Sequence, residues 1–261
     1  MSTARRQAYL QSLGIQGWRL RGGGSTLEPD ALGGREGIGP ADTPAPLPGD
    51  FRAPATSRKG ICVPLEVPPE LAVLGWEELR QRVAACTACG LAATRTQTVF
   101  GVGAASARWM IIGEAPGAEE DRRGEPFVGR AGQLLNTMLR ALGLAREQVF
   151  IANILKCRPP NNRDPRPEEA RSCAGFLHRQ IELVQPKILL AVGRIAAQNL
   201  LGTDQSLGKL RQVVHRFGPA GLPLIITYHP AYLLRSPGEK RKAWEDLKLA
   251  QKVLEGGSGS S

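Results

Sequence analysis

Four short apolar runs constrain this chain most: WMII at residues 109–112, VFIANIL at 149–155, KILLAV at 187–192 and LPLIIT at 222–227. Each is continuous rather than alternating, which suits strands buried on both faces of a parallel sheet. The segments between them carry helical spacing. Leu134, Leu135, Met138, Leu139 and Leu142 recur as one apolar stripe that stops at Gly143. Pro167 with Glu168 and Glu169 makes a first helical turn, a short helix runs on through Leu201, and residues 239–254 form a last helix with Trp244, Leu247 and Val253 inward. Strands alternating with helices over about 180 residues give an α/β fold, a single folded domain with a mainly parallel sheet and helices on both faces.

In such sheets ligands bind at the carboxyl ends of the strands. The first run leads into GEAPGAEEDRRGEPFVGRAGQLL, residues 113–135, where Gly113, Pro116 and Gly117 favour a tight loop. This loop lacks both GxxxxGK[ST] and GxGxxG, so it is a weak nucleotide cradle. The second run ends at Asn153, Lys156 and Cys157, and the fourth at Tyr228, His229 and Pro230. A pocket walled by these three loops follows from the topology.

The N-terminal third reads differently. Residues 20–70 hold nine Gly and nine Pro, too many for a packed layer. We therefore expect a disordered linker over residues 23–75, a folded domain over 76–255 beginning near Trp76, and a flexible GGSGSS tail at 256–261. Ahead of the linker, residues 1–22 gather Tyr9, Leu10, Leu13, Ile15, Trp18 and Leu20 between basic ends, the make-up of a docking peptide. The net charge of +10 and pI near 9.8 come almost wholly from the region after residue 75. That is the electrostatic footprint of a nucleic-acid binder. No run approaches the roughly 20 apolar residues of a membrane span, and the N-terminus has no apolar signal core. A cytoplasmic location away from membranes is expected.

Four of the five cysteines fall as Cys86 and Cys89 in a CxxC pair, then Cys157 and Cys173. In a reducing compartment this pattern argues for a metal or cluster rather than disulfides. Four thiolates suit zinc or an iron–sulfur cluster equally by count. Cys62, in the linker, is the odd one out.

Taken together, GEAPG at 113–117, FVGRAGQLL from Phe127, NILKCRPPNNRDP from Asn153 and YHPAYLLR from Tyr228 resemble the family 4 uracil-DNA glycosylases over residues 76–255. The resemblance implies the uracil-DNA glycosylase-like α/β fold and a 4Fe-4S cluster held by Cys86, Cys89, Cys157 and Cys173. It implies a monofunctional base-excision-repair enzyme acting on single- or double-stranded DNA. Such an enzyme flips uracil out and hydrolyses its N-glycosidic bond, leaving an abasic site. A monomer, bacterial and nucleoid-associated, is expected. The first 22 residues resemble the N-terminal peptide of the replicase clamp loader's psi subunit, which implies the chi subunit as a partner.

The resemblance also assigns roles. Phe127 matches the ring that stacks on the base, and Asn153 the amide that offers a donor and an acceptor to uracil O4 and N3–H. His229 matches the donor near O2, where charge accumulates as the uracil anion departs. Ala115, in the substrate-binding motif, stands where the best-known uracil glycosylases carry a water-positioning Asp, so Glu114 and Asn162 become the candidates for that work. Tyr232, Leu233 and Leu234 offer an apolar wedge for the gap in the base stack, and Arg235 a phosphate contact. The alternative is a non-catalytic iron–sulfur DNA-binding protein tethered to the replisome, which Ala115 leaves open.

Overall fold

The structure, a computed structural model, describes residues 67–256 together with Gln7, Gln11 and Gly14. Apart from those three residues, the expected docking peptide lies outside the described residues, as do most of the linker with Cys62 and the tail beyond Gly256. Six strands form one sheet: β1 (Val102–Gly103), β2 (Trp109–Gly113), β3 (Phe150–Asn153), β4 (Ile188–Val192), β5 (His215–Phe217) and β6 (Leu222–Thr227), in the order β1-β3-β2-β4-β6-β5. The four central strands are the four apolar runs, and they pair in parallel. The outer two, β1 and β5, pair antiparallel with their neighbours and are short.

The helices are α1 (Pro69–Ala72), α2 (Trp76–Ala84), α3 (Ala118–Arg123), α4 (Arg130–Ala141), α5 (Pro167–Val184), α6 (Arg194–Leu201), α7 (Leu207–Leu210), α8 (Pro230–Arg235) and α9 (Lys240–Gly256). Side chains of the sheet alternate between two cores, as the pleat requires. Met110, Ile112, Ala152, Leu189 and Ile226 face a core shared with α2, α5 and α6. Ile111, Ile151, Leu190, Val192 and Ile225 face the core shared with α4 and α9. Both faces are covered, which explains why the strands read as unbroken apolar runs. Among the described residues no helix is long and apolar enough to cross a membrane.

Two local expectations are corrected. The ordered fold begins by residue 67 rather than at Trp76: Leu71 of α1 is buried in the core, and Arg179 of α5 donates to the Leu74 carbonyl at 2.8 and 3.0 Å. The Pro-rich composition that reads as linker here serves as the Pro-led start of α1. The segment 118–123, which reads as a charged loop, is α3, with three acidic residues at its amino end, two arginines at its carboxyl end and Gly124 in the left-handed conformation as its stop.

The chain passes from β2 to β3 on one side and then to β4 on the other. This places a crevice outside the carboxyl end of β2, where the order switches. Gly113, Asn153, Gly193 and His229 stand at or just beyond the carboxyl ends of β2, β3, β4 and β6.

Candidate active site

The site is built around an absence. A Cβ on Gly113 would lie 2.4 Å from Asn153 Oδ1 and 2.6 Å from Phe127 Cζ, so the amide and the ring converge on the space this glycine leaves. Gly113 pairs directly with Asn153 in the β2–β3 register. The loops beyond stay zipped, with Ile154 and Leu155 donating to the carbonyls of Gly113 and Glu114 at 3.0 Å each.

Asn153 is buried, and its Oδ1 has no hydrogen-bond partner. A buried acceptor left unpaired costs on the order of 1–3 kcal/mol, so the site holds an unmet demand for a donor. Its backbone is braced from below by Lys156, a residue absent from the roles assigned by resemblance. Lys156 Nζ donates to the Asn153 carbonyl at 2.9 Å and to Gln180 Oε1 at 2.7 Å, and Gln180 in turn donates to the Phe100 carbonyl at 2.8 Å. Burial pulls this ammonium down to about 8, while Cys173 and Cys157 oppose the shift.

Phe127 is buried with φ +55°, a left-handed conformation rare for an aromatic residue. Its surroundings enforce the turn. Glu120 of α3 accepts from the Val128 and Gly129 amides at 2.9 and 3.2 Å, Arg146 donates to the Pro126 carbonyl, and the Phe127 carbonyl lies 1.7 Å from where a Cβ on Gly132 would be. Glu120 had a readable signal, an acidic residue shortly after a strand-end Pro-Gly, but the amides that donate to it are set only by the fold.

His229 caps the amino end of α8, its Nδ1 accepting from the Ala231 amide at 3.1 Å. Burial drives its pKa down to about 4, helped by Arg235 and opposed by Glu120, so the ring is neutral at pH 7. With Nδ1 an acceptor and one proton on the ring, Nε2 carries that proton. The ring centroid lies 5.6 Å from that of Phe127, tilted by 30°. Gly193 makes room behind it, since a Cβ there would meet His229 Cβ at 3.0 Å.

Glu114 is partly buried on the β2 loop, its pKa raised from 4.5 to about 7 by burial, then by Asp164, against the pull of Arg194. Asp164 and Arg194 pair at 2.7 Å, tying the Pro-rich loop to the start of α6. Asn162 is exposed with φ +54°, its Oδ1 accepting from Arg158 at 2.8 Å, so it stands at the rim. Ala115 packs against the α5-side core. Arg163 is committed to Glu169 through contacts of 2.6 and 2.9 Å rather than free for phosphate.

The structure splits the expected wedge. Leu233 is buried against Leu134, Met138 and Trp244, whereas Tyr232, Leu234 and Arg235 are exposed. Leu233 therefore belongs to the core and is corrected as a DNA contact. The physical reason is helical: α8 seats one side on α4 and α9, and Leu233 falls there. Leu233→Ala is expected to lower stability by about 2–5 kcal/mol in denaturant melts, while Leu234→Ala leaves the melt nearly unchanged.

Cys86, Cys89, Cys157 and Cys173 line one cavity with Val83, Leu91, Leu155 and Phe176, drawn from the end of α2, the turn after it, the loop after β3 and α5. Among the described residues no group of three or more His, Cys, Asp or Glu side chains is set to hold a metal ion. A cube of four irons makes a different demand, because each thiolate binds its own iron and the sulfurs stand further apart than around one ion. Two sulfurs already receive N–H donors: Arg95 Nη1 to Cys157 at 3.2 Å and the Lys156 amide to Cys173 at 3.3 Å. Burial pushes the Cys173 thiol up to about 12, and Cys157 upward too. Only a bound cation makes thiolates of such groups at neutral pH. Four cysteine thiols around one cavity fit a four-thiolate centre, zinc or iron–sulfur alike.

The carboxyl ends of the central strands thus carry a buried acceptor, a neutral N–H donor, an aromatic ring and a carboxyl group. Comparison with known proteins gives this arrangement a lineage. The profile of the Uracil DNA glycosylase superfamily matches residues 100–248. The chain is 43% identical over 182 residues to the Type-4 uracil-DNA glycosylase of Thermotoga maritima, covering 68% of this chain and 94% of that protein. It is 43% identical over 180 residues to the Type-4 uracil-DNA glycosylase of Archaeoglobus fulgidus, covering 66% and 89%. It is more distantly similar to the Type-5 uracil-DNA glycosylase of Thermus thermophilus, 34% identical over 149 residues, covering 50% and 68%. The chain belongs to the uracil-DNA glycosylase superfamily, in its type-4 branch.

Proposed function

We propose that the chain is a monofunctional uracil-DNA glycosylase, hydrolysing the N-glycosidic bond of a uracil flipped out of DNA. The observation that carries this reading is the unpartnered, buried Asn153 Oδ1 beside the Phe127 ring. Uracil supplies the missing donor with N3–H, where cytosine presents only an acceptor. The Asn153 amide nitrogen then donates to O4, and the Phe127 ring covers the base. His229 Nε2–H stabilises charge growing on O2 as the bond breaks, acting as a neutral donor because burial keeps its pKa near 4.

Of the two candidates for handling water, Glu114 fits better than Asn162, whose amide oxygen is engaged by Arg158 at the rim. A carboxylate there also stabilises the positive charge of an oxocarbenium-like sugar. Lys156 is no Schiff-base nucleophile, since its amine is buried and bonded to two acceptors below Asn153. This supports an abasic site rather than strand cleavage as the product. The test is alkali-dependent cleavage of single- and double-stranded oligonucleotides carrying one uracil, against a cytosine control. Binding without excision sinks the reading in favour of a non-catalytic DNA-binding protein.

A pH dependence follows from Glu114. Excision is expected to rise as pH passes through about 7 and Glu114 ionises, and Glu114→Gln should flatten that limb. The stability sign runs the opposite way. The folded-state pKa lies above the unfolded one, so Glu114 favours folding when protonated, and this contribution is lost as pH rises from 4.5 to about 7. Glu114→Gln should therefore be the more stable protein at pH 8, by up to about 3 kcal/mol in urea melts.

We further infer a 4Fe-4S cluster held by Cys86, Cys89, Cys157 and Cys173. Bound there, the group supplies a cross-link between α2, the β3 loop and α5, with no electron needed for hydrolysis. Cys173→Ser is expected to lose the visible iron–sulfur absorbance and lower the melting temperature. Equal iron content in both proteins would refute the assignment.

A further inference from the structure

At the end of the sheet opposite the candidate active site lies a groove of about 680 Å³. Its apolar wall is Trp109 at the start of β2, Leu142 and Leu144 just beyond α4, and Leu254 near the end of α9, and its rim carries the exposed Glu147 and Glu255. The topology explains its electrostatics. In a parallel sheet the helices run back against the strands, so α4 and α9 bring their carboxyl ends here, Leu142 being the cap of α4. Such an end carries roughly half a negative charge, and the last turn of α9 holds no basic residue to offset it. Arg108 is the one cation among the lining residues. The groove therefore suits an apolar segment that also carries basic residues.

This chain contains such a segment. Residues 1–17 hold Arg5 and Arg6 and no acidic residue, and at helical spacing Tyr9, Leu10 and Leu13 share one face. Gln7 and Gln11 are helical, and Gly14, at φ +73°, ends the turn with its amide donating to the Gln11 carbonyl at 2.8 Å. Gln7 is half-buried, and Gln7, Gln11 and Gly14 belong to the same compact unit as residues 67–256. Reach is no obstacle. Residues 18–66 number 49, and a coil of that length averages about 40 Å end to end, while a fold of roughly 190 residues has a radius of gyration of about 16 Å. Residues 257–261, GSGSS, follow α9 directly but bring no apolar side chain.

We propose that the amino-terminal segment 5–14 docks as a helix in this groove, with Tyr9, Leu10 and Leu13 against Trp109, Leu142, Leu144 and Leu254, and its arginines beside Glu147 and Glu255. The mode is an amphipathic helix in an apolar groove, made intramolecular by the tether. Docking there leaves the carboxyl ends of the strands open, so it covers the peptide rather than the active site. An outside partner of the peptide then has to bind it more tightly than the groove does.

Hydrogen–deuterium exchange of the full chain, read by mass spectrometry, tests the docking. Amides of residues 5–14 should exchange at least about tenfold more slowly in the wild type than in Leu10→Ser with Leu13→Ser, and that variant should also speed exchange at 142–148 and 251–256. Uracil excision should be equal in the two proteins, because the groove lies at the other end of the sheet. Glu147→Lys with Glu255→Lys should release the segment, and adding Arg5→Glu with Arg6→Glu should restore its protection, a rescue that misfolding cannot give. Fast exchange at 5–14 in the wild type, or protection that survives the groove variants, would overturn the docking. Protection that grows with protein concentration would seat the peptide on a second copy and overturn it as a contact within one chain.

Discussion

Asn153→Ala is expected to lower kcat/KM for uracil excision by about a thousandfold, roughly 4 kcal/mol of transition-state stabilisation, without lowering the melting temperature. The asymmetry follows from the orphaned acceptor. In the free protein Asn153 Oδ1 contributes no hydrogen bond, so its removal takes nothing from the folded state and relieves an unsatisfied buried group. In the complex the same deletion leaves uracil N3–H and O4 enclosed without partners. The backbone carbonyl, and so the Lys156 brace, is untouched by the substitution. Single-turnover excision and a thermal melt on the same sample check both halves. A variant that loses activity and stability together would mean that Asn153 holds the strand end rather than the base.

How much of this was legible in the sequence depends on range. The four parallel strands were readable because burial on both faces removes polar residues from the run itself. The edge strands were not: β1 has two residues and β5 has three, His215, Arg216 and Phe217, and antiparallel edges tolerate such polarity. Helix α3, AEEDRR, has no apolar stripe, so only its charge order and Gly124 mark it. Adjacent Leu233 and Leu234 differ in fate because α8 turns one toward α4, which a contiguous YLLR cannot reveal. The brace from Lys156 to Gln180 spans 24 positions and that from Gln180 to Phe100 spans 80, so neither has a local signature. The cysteines are intermediate. Their spacing announced a shared centre, but their gathering around one cavity needed α5 to pack beside the β3 loop.

The same reasoning makes Gly113→Ala a damaging single-methyl change, with excision falling at least as far as in Asn153→Ala. Gly113 ends β2 with no positive φ, so alanine is acceptable to the backbone there, and the damage is steric alone. The added Cβ meets Asn153 Oδ1 at 2.4 Å and Phe127 Cζ at 2.6 Å, contacts that force one of them to move. Neither has slack: the Phe127 turn is held by Glu120 and Arg146, and Asn153 is fixed by the β2–β3 register and by Lys156. Overpacking of this kind costs about 1–3 kcal/mol of stability. Combining Gly113→Ala with Asn153→Ala separates the two effects. Removing the amide relieves half of the clash, so the double variant should melt above Gly113→Ala alone, while excision stays at the level of the poorer single variant. Wild-type excision by Gly113→Ala would place the base somewhere other than this corner of the sheet.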